Sequence, residues 1–131
     1  MTKIGESQLE IITNIDSLKE FSELLESNPG LVIIKLGATW CGPCKKIETQ
    51  VHHFMSRLPS VMQGVILDVD DSFELYAFLE KKRVTRGIPA ILCYEKGNVT
   101  HIPCDNCLGS NVDEINLFFE RCYKRMNLLD K

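Results

Sequence analysis

Two cysteines separated by two residues lie where a buried strand is expected to give way to a helix. Residues 31–36 form a nearly unbroken apolar run, which is typical of a central strand buried on both faces. Residues 40–44 read Trp-Cys-Gly-Pro-Cys, and the pattern after them is amphipathic as far as residue 57. Two thiols three positions apart at such a junction can form a small disulfide and reopen it. The chain is therefore predicted to carry redox chemistry at the end of a central strand.

Short apolar runs alternate with amphipathic stretches along the rest of the chain, which is typical of an α/β domain with a mostly parallel sheet. Asp16 is a natural helix N-cap, and the Asn-Pro-Gly sequence of residues 28–30 ends the helix that follows it. Residues 95–98 have the composition of a hairpin turn. Strands are predicted at residues 9–15, 31–36, 65–69, 90–94 and 99–102, and helices at residues 16–27, 43–57, 73–79 and 112–126.

Length, charge and cysteine content restrict the classes of protein to which the chain can belong. With 131 residues, of which 44% are hydrophobic, it can build one domain with its own core. Its net charge of -3 argues against nucleic acid binding, which needs a basic face. We recognise no signal peptide and no apolar run near the ~20 residues of a membrane span, so a cytoplasmic location is expected. The six cysteines then favour reduced, reactive or metal-binding thiols over a secreted disulfide framework.

A second motif, Arg-Gly-Ile-Pro at residues 86–89, places a proline directly before the apolar run of residues 90–94. Together with residues 40–44, in this order and spacing, it resembles the thioredoxin family, and the predicted element order extends the resemblance over residues 9–126. The resemblance implies a single domain over residues 1–131, with a central mixed sheet of about five strands flanked by about four helices. It also implies a monomeric thiol–disulfide oxidoreductase that acts on protein disulfides, binds no cofactor and is recycled by a reductase or an oxidase.

The residues themselves predict different roles for the two thiols of the first motif. Cys41 would lie at a helix N-terminus, where unpaired N–H groups and the helix dipole favour a thiolate. Pro43 suits the first helical turn because it has no N–H to leave unsatisfied. Cys41 is thus the expected nucleophile and Cys44, one turn later, the resolving thiol. A zinc half-site and an inert core pair are the alternatives, and we expect no metal here.

The resemblance also implies the residues that line a substrate groove. Pro89 would be a cis-proline opposite the two thiols, and Ile88 would offer its backbone to an extended substrate segment. Without the resemblance, Pro89 would be interpreted as a proline at the start of a strand. The residues expected to bind substrate are Trp40, Gly42, Pro43, Gly87, Ile88 and Pro89.

Three positions depart from the family pattern. Lys35 stands where the family usually has a buried aspartate, Gly37 where it commonly has an aromatic residue, and Thr49 where it has a proline that kinks the helix. Burial should lower the pKa of Lys35, and our hypothesis is that Lys35 favours thiolates at Cys41 and Cys44, as a cation or as a neutral base. The alternative is that Lys35 extends to solvent from the sheet end. With Thr49 in place of proline, a straighter helix is expected.

Cys104 and Cys107 form a second pair of the C-x-x-C type, predicted to lie in the turn between the last strand and the last helix. In the family that turn borders the active-site groove, so one hypothesis is a second redox dithiol that relays electrons to or from the first. A zinc site with His101 is an alternative, although it lacks an obvious fourth ligand. A turn with a stabilising disulfide is another.

The two remaining cysteines have a structural interpretation, and the overall function has one alternative. Cys93 falls in a predicted buried strand and Cys122 on the apolar face of the last helix, so both are interpreted as small core residues. The alternative to an oxidoreductase is a thioredoxin-fold module that binds proteins or senses redox state with little turnover. The intact Cys-Gly-Pro-Cys sequence favours the enzyme.

Overall fold

The first helix and the two faces of the central strand set the layout of this molecule, for which a computed structural model describes residues 8–128. Helix α1 begins after Ser17, whose hydroxyl oxygen accepts a hydrogen bond from the N–H of Glu20, so Ser17 rather than Asp16 is the N-cap. The elements in chain order are α1 (Leu18–Glu26), β1 (Leu31–Gly37), α2 (Gly42–Lys46), α3 (Glu48–Met55), β2 (Met62–Asp68), α4 (Phe73–Lys81), β3 (Ala90–Glu95), β4 (Asp105–Leu108) and α5 (Val112–Arg125).

The four strands form one mixed sheet in the order β2-β1-β3-β4. Strand β1 pairs in parallel with β2 and antiparallel with β3, and β3 pairs antiparallel with β4. Because β1 lies in the interior of the sheet, all seven of its residues are buried. The predicted architecture of a mixed sheet flanked by helices is confirmed, with four strands instead of about five.

Alternate residues of β1 face two separate cores, as the two-residue repeat of a strand requires. Val32 and Ile34 contact the core beneath α1 and α4, while Leu31 and Ile33 contact the core beneath α3 and α5. Lys35 continues the second series, so it lies on the face covered by α2, α3 and α5. The same repeat explains why the run of residues 31–36 is apolar on both faces.

The strand predicted at residues 9–15 is wrong. This segment makes a single bridge, in which Ile12 exchanges backbone hydrogen bonds with Gly64 and Ile66. Pairing does not extend because the polar residues that follow turn the chain away, with the Asn14 side chain bonded to the Asp16 carboxylate.

The strand predicted at residues 99–102 is also wrong, and the last strand lies at Asp105–Leu108 instead. Asn98 folds the intervening chain into a loop, because its side-chain oxygen accepts from the N–H of Thr100 and its amide donates to the carbonyl of Ile102. Val99 and Ile102 are accordingly exposed. Apolar residues in this loop therefore imitate a strand without pairing as one.

The helix predicted at residues 43–57 is divided into α2 and α3 at Ile47, so the expectation of a straighter helix is wrong. Ile47 is fully buried, and its N–H bonds to the carbonyl of Cys44, three residues earlier. A tighter turn of this kind interrupts an α-helix without a proline. Among residues 8–128, no helix is both long and apolar enough to cross a membrane.

Candidate active site

The two thiols of residues 40–44 lie directly beyond the carboxyl end of β1. Cys41 is the N-cap of α2, and its Sγ accepts a hydrogen bond from the N–H of Cys44 at 3.2 Å. The two cysteines form a disulfide with a Cα–Cα distance of 5.2 Å. Pro43 occupies the first turn of α2, where its missing N–H costs no hydrogen bond. The predicted arrangement of a thiol pair at a helix start is therefore present.

The segment of residues 86–89 lies opposite this pair. The peptide bond between Ile88 and Pro89 is cis, and the carbonyl oxygen of Ile88 is 4.0 Å from the Sγ of Cys41. Thr85, which is 1% exposed, donates its hydroxyl to the carbonyl of Gly87 at 2.7 Å. Thr85 therefore holds the loop in place from beneath, although no local sequence pattern points to this residue.

Trp40 forms the exposed wall beside the disulfide. Two thirds of its surface is accessible, and its indole Nε1 donates to the Asp70 carboxylate at 2.8 Å. Asp70 is itself placed by a turn in which its N–H donates to the carboxylate of Asp68. The sequence signal for this contact is the run of acidic residues after β2, which on its own indicates only a turn.

Comparison with known proteins identifies this arrangement. The family model described as Thioredoxin matches residues 12–116. The chain belongs to the thioredoxin family. The thioredoxin of Oryctolagus cuniculus is 33% identical over 88 residues, which cover 66% of this chain and 79% of that protein. Thioredoxin 1 of Plasmodium falciparum is 30% identical over 107 residues, or 82% and 93% of the two chains. The solution structure of the oxidised Plasmodium falciparum thioredoxin superposes with a TM-score of 0.62 at 28% identity and covers 85% of this chain and 97% of its own.

This thioredoxin-family chain is a thiol–disulfide oxidoreductase, as predicted. The Cys41–Cys44 disulfide beside a cis-proline is the geometry in which such exchange takes place. The alternative of a thioredoxin-fold module without turnover is not favoured, because both cysteines and the loop that faces them are intact.

Lys35 distinguishes this site from the usual family pattern. Its side chain lines a cavity of about 450 Å³ behind the disulfide, together with Cys44, Glu48 and Asp68. Lys35 is 6% exposed, and we find no hydrogen bond or ion pair from its ammonium group to any other described residue. Burial lowers the pKa of Lys35 below its ordinary value, while the carboxylates of Glu48 and Asp68 act in the opposite direction. Glu48 was missed at the sequence level because only the fold brings the start of α3 to β1.

Gly37 leaves the space that Lys35 occupies. A Cβ added to Gly37 would lie 2.9 Å from the Nζ of Lys35 and 3.5 Å from the Sγ of Cys44. The ammonium group and the resolving sulfur therefore both lie close to the position that a side chain at residue 37 would occupy. Most of the Lys35 side chain is buried, and it lines the cavity behind the disulfide.

The second C-x-x-C pair lies elsewhere than predicted. Cys104 precedes β4 and Cys107 lies within it, so neither is in the turn between β4 and α5. Both are free thiols, as are Cys93 and Cys122. Cys107 faces the core beneath α5, whereas the thiol of Cys104 contacts the carbonyl oxygen of Cys93 at 3.3 Å. No group of three or more His, Cys, Asp or Glu side chains in residues 8–128 is arranged to hold a metal ion, so the zinc alternative has no ligand set there.

Proposed function

We propose that Cys41 is the attacking thiol and Cys44 the resolving thiol in exchange with protein disulfides. The Cys41 thiolate attacks one sulfur of the substrate disulfide, and the other substrate sulfur leaves as a thiolate. Cys44 then attacks the Sγ of Cys41 and releases the first substrate sulfur, so two electrons pass from the protein dithiol to the substrate. The observation that carries this proposal is the position of the Cys41 Sγ, at the N-cap of α2 and 4.0 Å from the Ile88 carbonyl.

The substrate would lie as an extended segment between the first thiol and the loop that faces it. Ile88 offers its backbone, and the buried ring of Pro89 fixes the direction of that loop. The other expected contacts are half-exposed or exposed at the rim: Trp40, Gly42, Pro43 and Gly87. A carbonyl already close to the attacking sulfur would align the substrate disulfide for in-line attack, which is the role that we assign to this groove.

Lys35 would tune the pair from behind. A cation near Cys44 stabilises the Cys44 thiolate by electrostatic attraction. The same cation also attracts the Cys41 thiolate, more weakly because Cys41 is farther away. Because thiolates belong to the reduced form, this stabilisation would make the couple more oxidising. The proposal is supported by the buried position of Lys35 beside Gly37 and Cys44.

The roles of the two thiols can be separated with single substitutions. Wild-type protein should reduce insulin disulfides with dithiothreitol as the electron donor, and Cys41→Ser should abolish this activity. Cys44→Ser should instead trap a mixed disulfide with insulin that dithiothreitol releases. Cys107→Ala, a buried cysteine away from the exchange pair, is the matched control and should retain the activity. Insulin reduction by Cys41→Ser at the wild-type rate would overturn the assignment.

Each turnover leaves Cys41 and Cys44 as a disulfide, so a reducing cycle needs a recycling reductase as a partner. We place the protein in the cytoplasm, where thiols are kept reduced, and this location stays a prediction. Immunolocalisation of the endogenous protein would test it, and an oxidising compartment would instead favour the opposite direction of exchange, with an oxidase as the partner.

A further inference from the structure

Three cysteines outside the exchange pair meet beneath helix α5. Cys93 and Cys122 are fully buried, and Cys104 is partly exposed. Cys93 and Cys122 lie in the same core cluster, Cys104 packs against it, and the thiol of Cys104 contacts the carbonyl oxygen of Cys93 at 3.3 Å. We refer to these three residues as the thiol cluster. The exchange reaction described above uses none of them.

The backbone brings Cys104 and Cys93 opposite each other. Asp105 is the register partner of Cys93, yet the N–H of Cys104 also donates to the Cys93 carbonyl at 2.8 Å. Two consecutive residues therefore oppose one, as in a β-bulge. Residues directly opposite each other in an antiparallel pair have Cβ atoms about 4.5–5.5 Å apart, and a disulfide needs about 3.5–4.5 Å. Closing a disulfide therefore requires the bend at Cys104 to move so that its Cβ comes within this range of the Cβ of Cys93.

We propose that Cys93 and Cys104 form a second disulfide when the protein meets a low-molecular-weight disulfide such as oxidised glutathione. The bond would fasten the loop of residues 96–104 to strand β3, which begins immediately after Pro89. This inference does not depend on the roles proposed for Cys41 and Cys44.

The reaction balances as two successive thiol–disulfide exchanges. The thiolate of Cys104 attacks one sulfur of the glutathione disulfide and forms a mixed disulfide, while one glutathione leaves as a thiolate. The thiolate of Cys93 then attacks the Sγ of Cys104, and the second glutathione leaves. The two cysteines lose two electrons and two protons, and the oxidised glutathione becomes two glutathione thiols.

Cys104 is the point of entry because Cys93 and Cys122 are closed to solvent. Burial and the Cys93 thiol raise the pKa of Cys104 to about 12, with Glu95 acting in the same direction and Arg125 against it. Thiolate is therefore scarce at neutral pH, and the second disulfide should form much more slowly than the exchange pair oxidises.

The other pairings require more rearrangement. Asp105 to Cys107 is extended strand, so a Cys104–Cys107 disulfide would have to bend the start of β4 and break its pairing with β3. Cys122 is carried on the buried face of α5 and has no access to a dissolved disulfide. Oxidation at the thiol cluster should therefore join Cys104 to Cys93.

Trypsin places the candidate partners on different peptides. Cys93 lies in the peptide of residues 87–96, Cys104 and Cys107 lie together in residues 97–121, and Cys122 lies in residues 122–124. The folded protein is incubated with oxidised glutathione and then unfolded in denaturant at acid pH. Its remaining thiols are blocked there with N-ethylmaleimide, and the digest is measured by mass spectrometry without reduction. Residues 36–45 report the Cys41–Cys44 disulfide in the same digest.

The expected result is a slow loss of two thiols beyond Cys41 and Cys44, with residues 87–96 linked to residues 97–121. Cys107→Ala should keep this linked species and Cys104→Ser should lose it, which assigns the bond to Cys104. A bridge within residues 97–121 or a link from 87–96 to 122–124 would overturn the pairing. So would full retention of four maleimide-reactive thiols after the exchange pair has oxidised completely.

Discussion

Replacing Lys35 with methionine removes the buried charge and keeps most of the side-chain volume. The positions of Lys35 Nζ and Cys44 Sγ around Gly37 imply a separation of about 6 Å at most, at which an ammonium and a thiolate attract by about 3 kcal/mol for an effective dielectric constant of ~20. The Sγ of Cys41 lies one S–S bond farther from the ammonium group than the Sγ of Cys44. At a distance of about 9 Å, the attraction between the ammonium group and a Cys41 thiolate is about 2 kcal/mol. Solvent in the cavity reduces this value, so we expect the pKa of Cys41 to rise by about one unit in Lys35→Met.

Alkylation of the reduced protein measures this change. The rate of reaction with iodoacetamide follows the thiolate fraction, and for thioredoxin the attacking thiol has a pKa of about 7. A rise from about 7 to about 8 lowers the thiolate fraction at pH 7 about fivefold, and the two proteins should converge above about pH 9.5. Lys46→Met is the matched control, because it removes an exposed charge from α2, the helix that Cys41 caps and that contains Cys44.

The redox potential gives an independent reading of the same interaction. Because Lys35→Met destabilises thiolates and so the reduced form, its potential should become more negative, by up to about 30 mV per pKa unit in alkaline buffer and by less at pH 7. Superimposable rate–pH profiles for wild type and Lys35→Met would refute the reasoning, as would equal shifts in Lys35→Met and Lys46→Met.

Three further outcomes follow from the same structure. Ser72→Ala should lower the free energy of unfolding by about 1–2 kcal/mol in urea, because the buried Ser72 hydroxyl accepts from the N–H of Ile15. Asp70→Asn should raise the KM for insulin a few-fold with little change in kcat, since Trp40 loses an exposed charge-assisted hydrogen bond of about 1 kcal/mol. In the oxidised protein, Lys35→Met should be more stable than wild type at pH 7. Burial lowers the pKa of folded Lys35 below its ordinary value of 10.5. The folded wild type therefore releases this proton at a lower pH than the unfolded chain, and its free energy of unfolding should rise as the pH approaches 10.5. The difference between the urea midpoints of Lys35→Met and wild type should narrow accordingly.

The exchange site could be predicted from sequence because its determinants are local. Cys41 and Cys44 are three residues apart, and the change from an apolar run to an amphipathic pattern places them at a strand–helix junction whatever the rest of the fold does. The loop that holds Pro89 is distant in sequence, and its placement came from the family resemblance. Nothing in the local pattern identifies Thr85 or Asp70, because their roles arise from contacts made only in the folded chain.

The far edge of the sheet could not be predicted in the same way. Val99 and Ile102 have the composition of a strand, but the side chain of Asn98 bonds to the N–H of Thr100 and to the carbonyl of Ile102 and makes a loop instead. This moves the last strand later in the chain and carries Cys104 away from the predicted turn to a position opposite Cys93. A side chain that captures backbone groups thus makes a loop where the composition predicts a strand.

Lys35 and Gly37 are best understood as one change rather than two. They are two residues apart in β1, so both face the same side of the sheet, and a side chain at Gly37 would enter the space of the Lys35 ammonium group. Gly37→Ala should therefore displace the ammonium group when residue 35 is lysine. When residue 35 is methionine, the uncharged side chain can move aside, and Gly37→Ala should lower the free energy of unfolding by less. A double-mutant cycle of Gly37→Ala with Lys35→Met should show a coupling of about 0.5 kcal/mol or more in unfolding free energy. Additive effects would mean that the two departures from the family pattern are independent.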